Sequence, residues 1–80
     1  MVRKAFGVVL RNLREGKKIS QEKLAELTST DRITIYRFEN GLMQPTLDSI
    51  FKLSIALDIK PSEFLALVEE ELKNTPPEIV

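Results

Sequence analysis

The side chains able to do chemistry in this 80-residue chain are its charged ones, twelve basic and twelve acidic. Histidine and cysteine are both absent. Their absence removes the commonest metal ligand, the usual general base and any thiolate. The densest run of carboxylates is Glu69-Glu70-Glu71. Consecutive residues on a helix point in different directions, so these three cannot converge on a metal or share a proton, and a solvated acidic face is expected. There is no Gly-rich phosphate loop, and the chain is too short for a conventional deep ligand pocket. No enzymatic activity, metal or cofactor is therefore expected.

What remains is where the charge sits. The formal net charge is zero, which at first sight argues against nucleic acid. The distribution is uneven. Residues 1–20 carry Arg3, Lys4, Arg11, Arg14, Lys17 and Lys18 against one acid, Glu15. Residues 46–80 carry three lysines against seven acids. A local basic surface matters more to a phosphate than the net charge does. The acidic C-terminal third is expected to face away from any nucleic acid. Ordinary solvated charge would give the same count, so the pattern gains meaning only from the elements that place it.

Those elements read as five short helices with no strand. Phe6, Leu10 and Leu13, with Val9 beside them, make one apolar stripe over residues 3–15, and Gly16 is placed to end it. Ser20 caps a second helix over 21–28, with Leu24, Ala25 and Leu27 apolar. Thr28-Ser29-Thr30 then interrupts the pattern with residues that prefer turns and caps. Asp31 or Thr30 caps a third helix over 32–39, with Ile35 and Phe38 inward, and Asn40-Gly41 stops it. Thr46 caps a fourth over 47–57, with Leu47, Ile50, Leu53 and Leu57 as its inner stripe. Ser62 caps a fifth over 63–73, where Phe64, Leu65, Val68 and Leu72 make a stripe that leaves Leu67 over. The expected fold is an all-α, five-helix orthogonal bundle forming one domain over 1–74, with a loose tail at 75–80. A domain of this size buries only about 60% of its unfolded surface, so its core is marginal. The N-terminal residues do not read as a signal peptide, and no apolar run approaches the roughly 20 residues of a membrane span. A cytoplasmic location is expected.

The segment from Ser20 to Pro45 is the most specific feature. Two helices of about two turns flank a short polar turn. Small Ala25 would let their backbones approach, and branched Ile35 would fill the crossing. That is the requirement of a helix-turn-helix, which projects its second helix so that it can enter a major groove about 12 Å wide. On that helix Arg32, Ile33, Tyr36 and Arg37 lie at i, i+1, i+4 and i+5, one outward face opposite Ile35 and Phe38.

The chain resembles the phage-repressor and Cro-like helix-turn-helix regulators, often called the XRE family, over about residues 6–65. The resemblance rests on F-G-x-x-L-R-x-L-R in the first helix, S-Q-E-x-L-A at the motif start and R-x-T-I-x-R-F-E-N-G at its end. P-T-L-D-S-I-F-K-L-S-I-A-L-D-I fits the fourth helix. The resemblance implies a lambda-repressor-like fold and a sequence-specific regulator of transcription, an operator-binding repressor with its recognition helix in double-stranded DNA. It implies base or groove-wall contacts from Arg32, Ile33, Tyr36 and Arg37, with arginine matched to guanine O6 and N7 and Ile33 to a thymine methyl. It implies phosphate contacts from Gln21, Thr30, Thr34 and Asn40, with Arg14, Lys17, Lys18 and Gln44 flanking them. It also implies a structural ion pair between Arg14 and Glu39. The family often has glycine in the turn where this chain has Ser29, so a positive φ there would be strained.

Leu67 is left over from the fifth helix's stripe, and Ile55 and Val8 fall where the family often has polar residues. Scattered surface apolar groups would account for them. A dimer contact built from Ile55 and Leu67 would do so as well, and two recognition helices one DNA turn apart would read a pseudo-palindrome. Tyr36 is equally open to a role at the core edge or against a dimer partner. The alternative to a homodimeric regulator is an antitoxin-type component that pairs with a partner protein through the last helix and the 75–80 tail.

Overall fold

A computed structural model describes residues 1–74, and the expected tail at 75–80 lies outside them. The helices are α1 (Val2–Gly16), α2 (Gln21–Leu27), α3 (Arg32–Glu39), α4 (Leu47–Ala56) and α5 (Pro61–Asn74), with no strand among the described residues.

Side chains start three of these helices. Ser20, Asp31 and Thr46 accept hydrogen bonds from the backbone N–H groups of Lys23 (3.0 Å), Thr34 (2.7 Å) and Ser49 (3.0 Å). Each satisfies one of the donors that a helix start leaves unpaired. The cap of α3 is thus Asp31 and not Thr30. The Thr34 N–H holds the exposed Asp31 carboxyl below its usual pKa, and Arg37 adds a smaller electrostatic contribution.

The ends of α1 to α4 share one device. A residue in the left-handed region follows each helix, and its own N–H and that of the next residue fold back onto the last turn. Lys18 (φ 59°), Ser29 (φ 55°), Gly41 (φ 69°) and Asp58 (φ 55°) hold the left-handed positions. The N–H groups of Ile19, Thr30, Leu42 and Ile59 then reach the carbonyls of Arg14, Ala25, Arg37 and Ser54, at 2.9 to 3.4 Å. This is the Schellman arrangement. It corrects the expectation for Gly16, which is the last residue of α1 and has open space around it. Lys18, two residues on, makes the left-handed turn.

Phe6, Leu10, Leu24, Ile35, Leu53, Leu57 and Phe64 are fully buried and form the core. The Phe6 ring stacks on Phe64 at 5.2 Å and meets Phe38 edge-on at 5.9 Å, so one side chain ties α1 to α3 and α5. Gly7 lets α1 and α3 approach closely. A Cβ at that position would lie 2.5 Å from the Phe38 carbonyl oxygen and 2.6 Å from that of Glu39.

Three further expectations are corrected. Leu47 is 66% exposed and does not belong to the inner stripe of α4. It is the first residue of that helix, and the stripe passes instead through half-buried Ile50 and buried Leu53, Ser54 and Leu57. Ser54 is tolerated there because its hydroxyl donates to the Ile50 carbonyl at 2.7 Å. Leu65 is exposed, and the inner stripe of α5 is Phe64 and Val68 with half-buried Leu72. Ser62 does not cap α5. Pro61 already occupies the first turn, where its missing N–H is harmless, and the Glu63 carboxylate accepts from the Lys60 N–H at 3.4 Å.

Candidate nucleic-acid interface

Helices α2 and α3 pack against each other, with Ala25 and Ile35 both buried. The turn between them is a helix end followed at once by a helix cap: Ser29 reverses the chain and Asp31 starts α3. Thr28, the last capping residue of α2, is buried, and its hydroxyl donates back to the Leu24 carbonyl at 2.8 Å. The turn is thus satisfied internally, and it sets the direction of α3.

α3 has two sides. Ile35, Phe38 and Glu39 are buried, while Arg32, Ile33, Tyr36 and Arg37 are exposed. The four exposed side chains, together with Leu42, line one open concavity of about 310 Å³. Neither Arg32 nor Arg37 is in an ion pair among the described residues, so their guanidinium donors face outward unclaimed.

Buried charge anchors this helix from behind. Arg14 on α1 donates from Nε to Glu39 Oε2 at 2.6 Å and from Nη2 to Oε1 at 3.1 Å. The two side chains are 12% and 2% exposed. Arg14 Nη1 donates to the Ile19 carbonyl at 2.9 Å, and Gln21 Nε2 donates to Glu39 Oε1 at 3.0 Å. One carboxylate therefore ties the end of α3 to α1 and to the start of α2. The bidentate fork is the strong form of an ion pair. Its hydrogen bond raises the Arg14 pKa above the usual guanidinium value, against a smaller opposing effect of desolvation.

The residues expected to meet phosphate are spread from the start of α2 to the loop after α3. Gln21 is half-buried at the start of α2, engaged with Glu39, and exposed Lys17 and Lys18 lie just before it. Thr30 is exposed in the turn, and Asn40, exposed at the end of α3, donates its amide to the Tyr36 carbonyl at 2.8 Å. Gln44 is exposed in the following loop. Thr34 shares with Thr30 a cleft of about 130 Å³ that Ser49, Lys52 and Leu53 also line, on the side of α3 turned toward α4.

The structure does not bring Ile55 and Leu67 together. Ile55 is 80% exposed and lies beside Leu27, Thr28 and Ser29, on the α2–α4 side. Leu67 lies in the groove between α1 and α5, with Val9 and Leu13. Exposed Leu47 and Phe51 precede Ile55 at four-residue spacing, making an apolar stripe along α4 that sequence reasoning missed. The signal was present: residues 47–57 carry large apolar side chains at 47, 50, 51, 53, 55 and 57, one stripe more than one inner face holds. Leu42 was missed too, because its position depends on the fold of the turn at Gly41.

Comparison with known proteins agrees with this geometry. Residues 10–64 match the family described as Helix-turn-helix. The Control protein C.BamHI of Bacillus amyloliquefaciens is 38% identical over 65 residues, which is 80% of each chain. A candidate HTH-type transcriptional regulatory protein of Methanocaldococcus jannaschii is 38% identical over 75 residues, 89% of this chain. This chain spans about a quarter (24%) of the length of that relative. The crystal structure of the restriction-modification controller protein C.AhdI from Aeromonas hydrophila superposes with a TM-score of 0.75 at 44% identity, covering 78% of this chain and 90% of that one. The clp gene regulator ClgR from Corynebacterium glutamicum shares the fold, with a TM-score of 0.89 at 20% identity over 92% of this chain and 79% of its own. The chain belongs to the helix-turn-helix family, in its XRE-type, phage-repressor-like branch, a family of DNA-binding regulators and not of enzymes.

Proposed function

We propose that this chain binds an operator in double-stranded DNA as a homodimer and regulates transcription there, most simply as a repressor. The observation that carries the reading is the outward row of Arg32, Ile33, Tyr36 and Arg37 on a helix held from behind by Glu39. Arg32 and Arg37 read guanine edges, and Ile33 and Tyr36 fill the groove between them. Gln21, Thr30, Asn40, Lys17 and Lys18 set the register through phosphates, with Arg14, Thr34 and Gln44 in supporting positions. The name of C.AhdI as a restriction-modification controller protein, at 44% identity, supports a regulatory role of this kind.

The α4 stripe of Leu47, Phe51 and Ile55 supplies the dimer contact. An exposed apolar row on a small domain gains by burial, and a second copy presents the same row to it. Leu67, on the α1–α5 side, is outside that contact.

Selection of the purified protein against a randomised duplex library tests the reading. An enriched pseudo-palindrome with half-sites about 10 bp apart is expected. Its affinity should fall steeply as salt rises. The absence of any enriched sequence would remove the operator from the proposal.

A further inference from the structure

The concavity on the outer face of α3 has an unusual composition for a surface meant to meet a polyanion. With the two arginines it is lined by three exposed, largely apolar side chains, Ile33, Tyr36 and Leu42. Leu42 is 63% exposed and adds nothing to the core. It is also no loosely placed loop residue. Its N–H donates to the Arg37 carbonyl at 2.9 Å, which folds it back against the end of α3. The fold-back depends on Gly41, whose φ of 69° is left-handed and where a Cβ would lie 2.9 Å from Lys4 Cγ. The turn thus sets a third apolar side chain beside two from the helix itself.

The largest apolar group that a base pair exposes in the major groove is the C5-methyl of thymine. A methylated cytosine presents the same methyl. Ile33, Leu42 and the ring of Tyr36 gain in that groove by covering such a methyl, and of the three only the Tyr36 hydroxyl can pair with the acceptors around it. We infer that Ile33, Tyr36 and Leu42 together form a reader of a pyrimidine C5-methyl group, with Arg32 and Arg37 taking guanines beside it. Leu42, outside the recognition helix, is then a determinant of sequence specificity. The inference rests on the DNA-binding reading given above.

Three randomised duplex libraries test it with the full chain: one of ordinary bases, one with uracil in place of thymine, and one with uracil and 5-methylcytosine in place of thymine and cytosine. From the first, a fixed thymine next to the guanine positions should be enriched in each half-site. From the second, the guanines should persist while preference at the thymine position falls about fourfold or more, the loss of one buried methyl. In the third library, 5-methylcytosine enriched at that position would show that the methyl alone is read. No enrichment there would identify thymine as the source, and either result keeps the reader. Uracil enriched as strongly as thymine would overturn it. Loss of selection in every library would instead remove the DNA-binding reading on which it rests. Leu42→Ala and Ile33→Ala change exposed residues, so both variants should melt like the parent. Each should weaken the thymine preference and leave the guanines unchanged, and an unaltered thymine preference in both would overturn the assignment.

Discussion

A single carboxylate decides whether the recognition helix keeps its aim. Glu39 accepts from Arg14 and from Gln21 and is almost fully buried. Replacing it leaves a guanidinium with no counter-charge in a largely enclosed position, and the cost of that far exceeds what an exposed pair contributes. Glu39→Ala is expected to destabilise the fold by about 3 kcal/mol or more. That should lower the melting temperature of a domain this small by about 12 °C or more. A drop of only a degree or two would show that the pair is effectively solvated. At this scale much was legible. Arg32, Ile33, Tyr36 and Arg37 follow from helical spacing opposite Ile35 and Phe38, and the structure exposes all four. What spacing does not reveal is engagement. That Gln21 is already bonded to Glu39, or that Thr34 faces α4, depends on contacts between residues distant in sequence.

Among the elements, three helix starts were readable from their caps, the start of α5 was not, and of the helix ends only the one at Gly41 was marked. Ser20, Asp31 and Thr46 announce their helices by chemistry, since a short side chain with an oxygen is what an unpaired N–H requires. The ends use backbone geometry that a sequence signals clearly only when glycine is present. Gly41 shows it, whereas Lys18 and Asp58 do the same work without a glycine to mark them. Ser29 is the instructive case, a serine at φ 55° in the helix-turn-helix itself. A side chain there costs about 1–2 kcal/mol, against roughly 0.5–1 kcal/mol for the extra chain entropy of glycine. Ser29→Gly should therefore raise stability by about 0.5–1 kcal/mol, measured by denaturant titration. A loss would mean that the Ser29 side chain contributes more than its strain removes. Gly7 gives the opposite result. Alanine favours a helix by about 1 kcal/mol over glycine. At position 7, however, the added Cβ meets backbone carbonyls of α3 that cannot rotate away. Gly7→Ala should destabilise by about 1–3 kcal/mol. A more stable variant would show that α1 and α3 have room to separate.

The whole molecule segregates its charge and its apolar surface. The basic N-terminal quarter includes Lys17 and Lys18, just before the helix-turn-helix, and the acid excess lies in the last third. In the DNA-binding reading, this local basic excess and not the zero net charge meets the phosphate backbone. The inner core of α4 was legible as a stripe, yet its outer stripe was hidden. Leu47 reads as core and Ile55 as a surface or dimer residue, and only the packing places both with Phe51 on one exposed side of α4. In the dimeric reading that stripe is the contact. Phe51→Glu should then give a monomer by sedimentation at concentrations where the parent is a dimer, with its melting temperature changed only as far as dimerisation stabilised it. Binding to a two-half-site duplex should weaken far more than binding to a single half-site. A variant that remains dimeric would move the interface elsewhere.

The most direct test of base reading by α3 is the specificity of Arg37→Ala, profiled on every single-base variant of the selected operator. The expected result is a loss of about 1–3 kcal/mol confined to one base-pair position, where the variant no longer prefers guanine, with preferences elsewhere retained. An equal loss of affinity for all sequences, with the base preferences intact, would make Arg37 a phosphate contact and contradict the account.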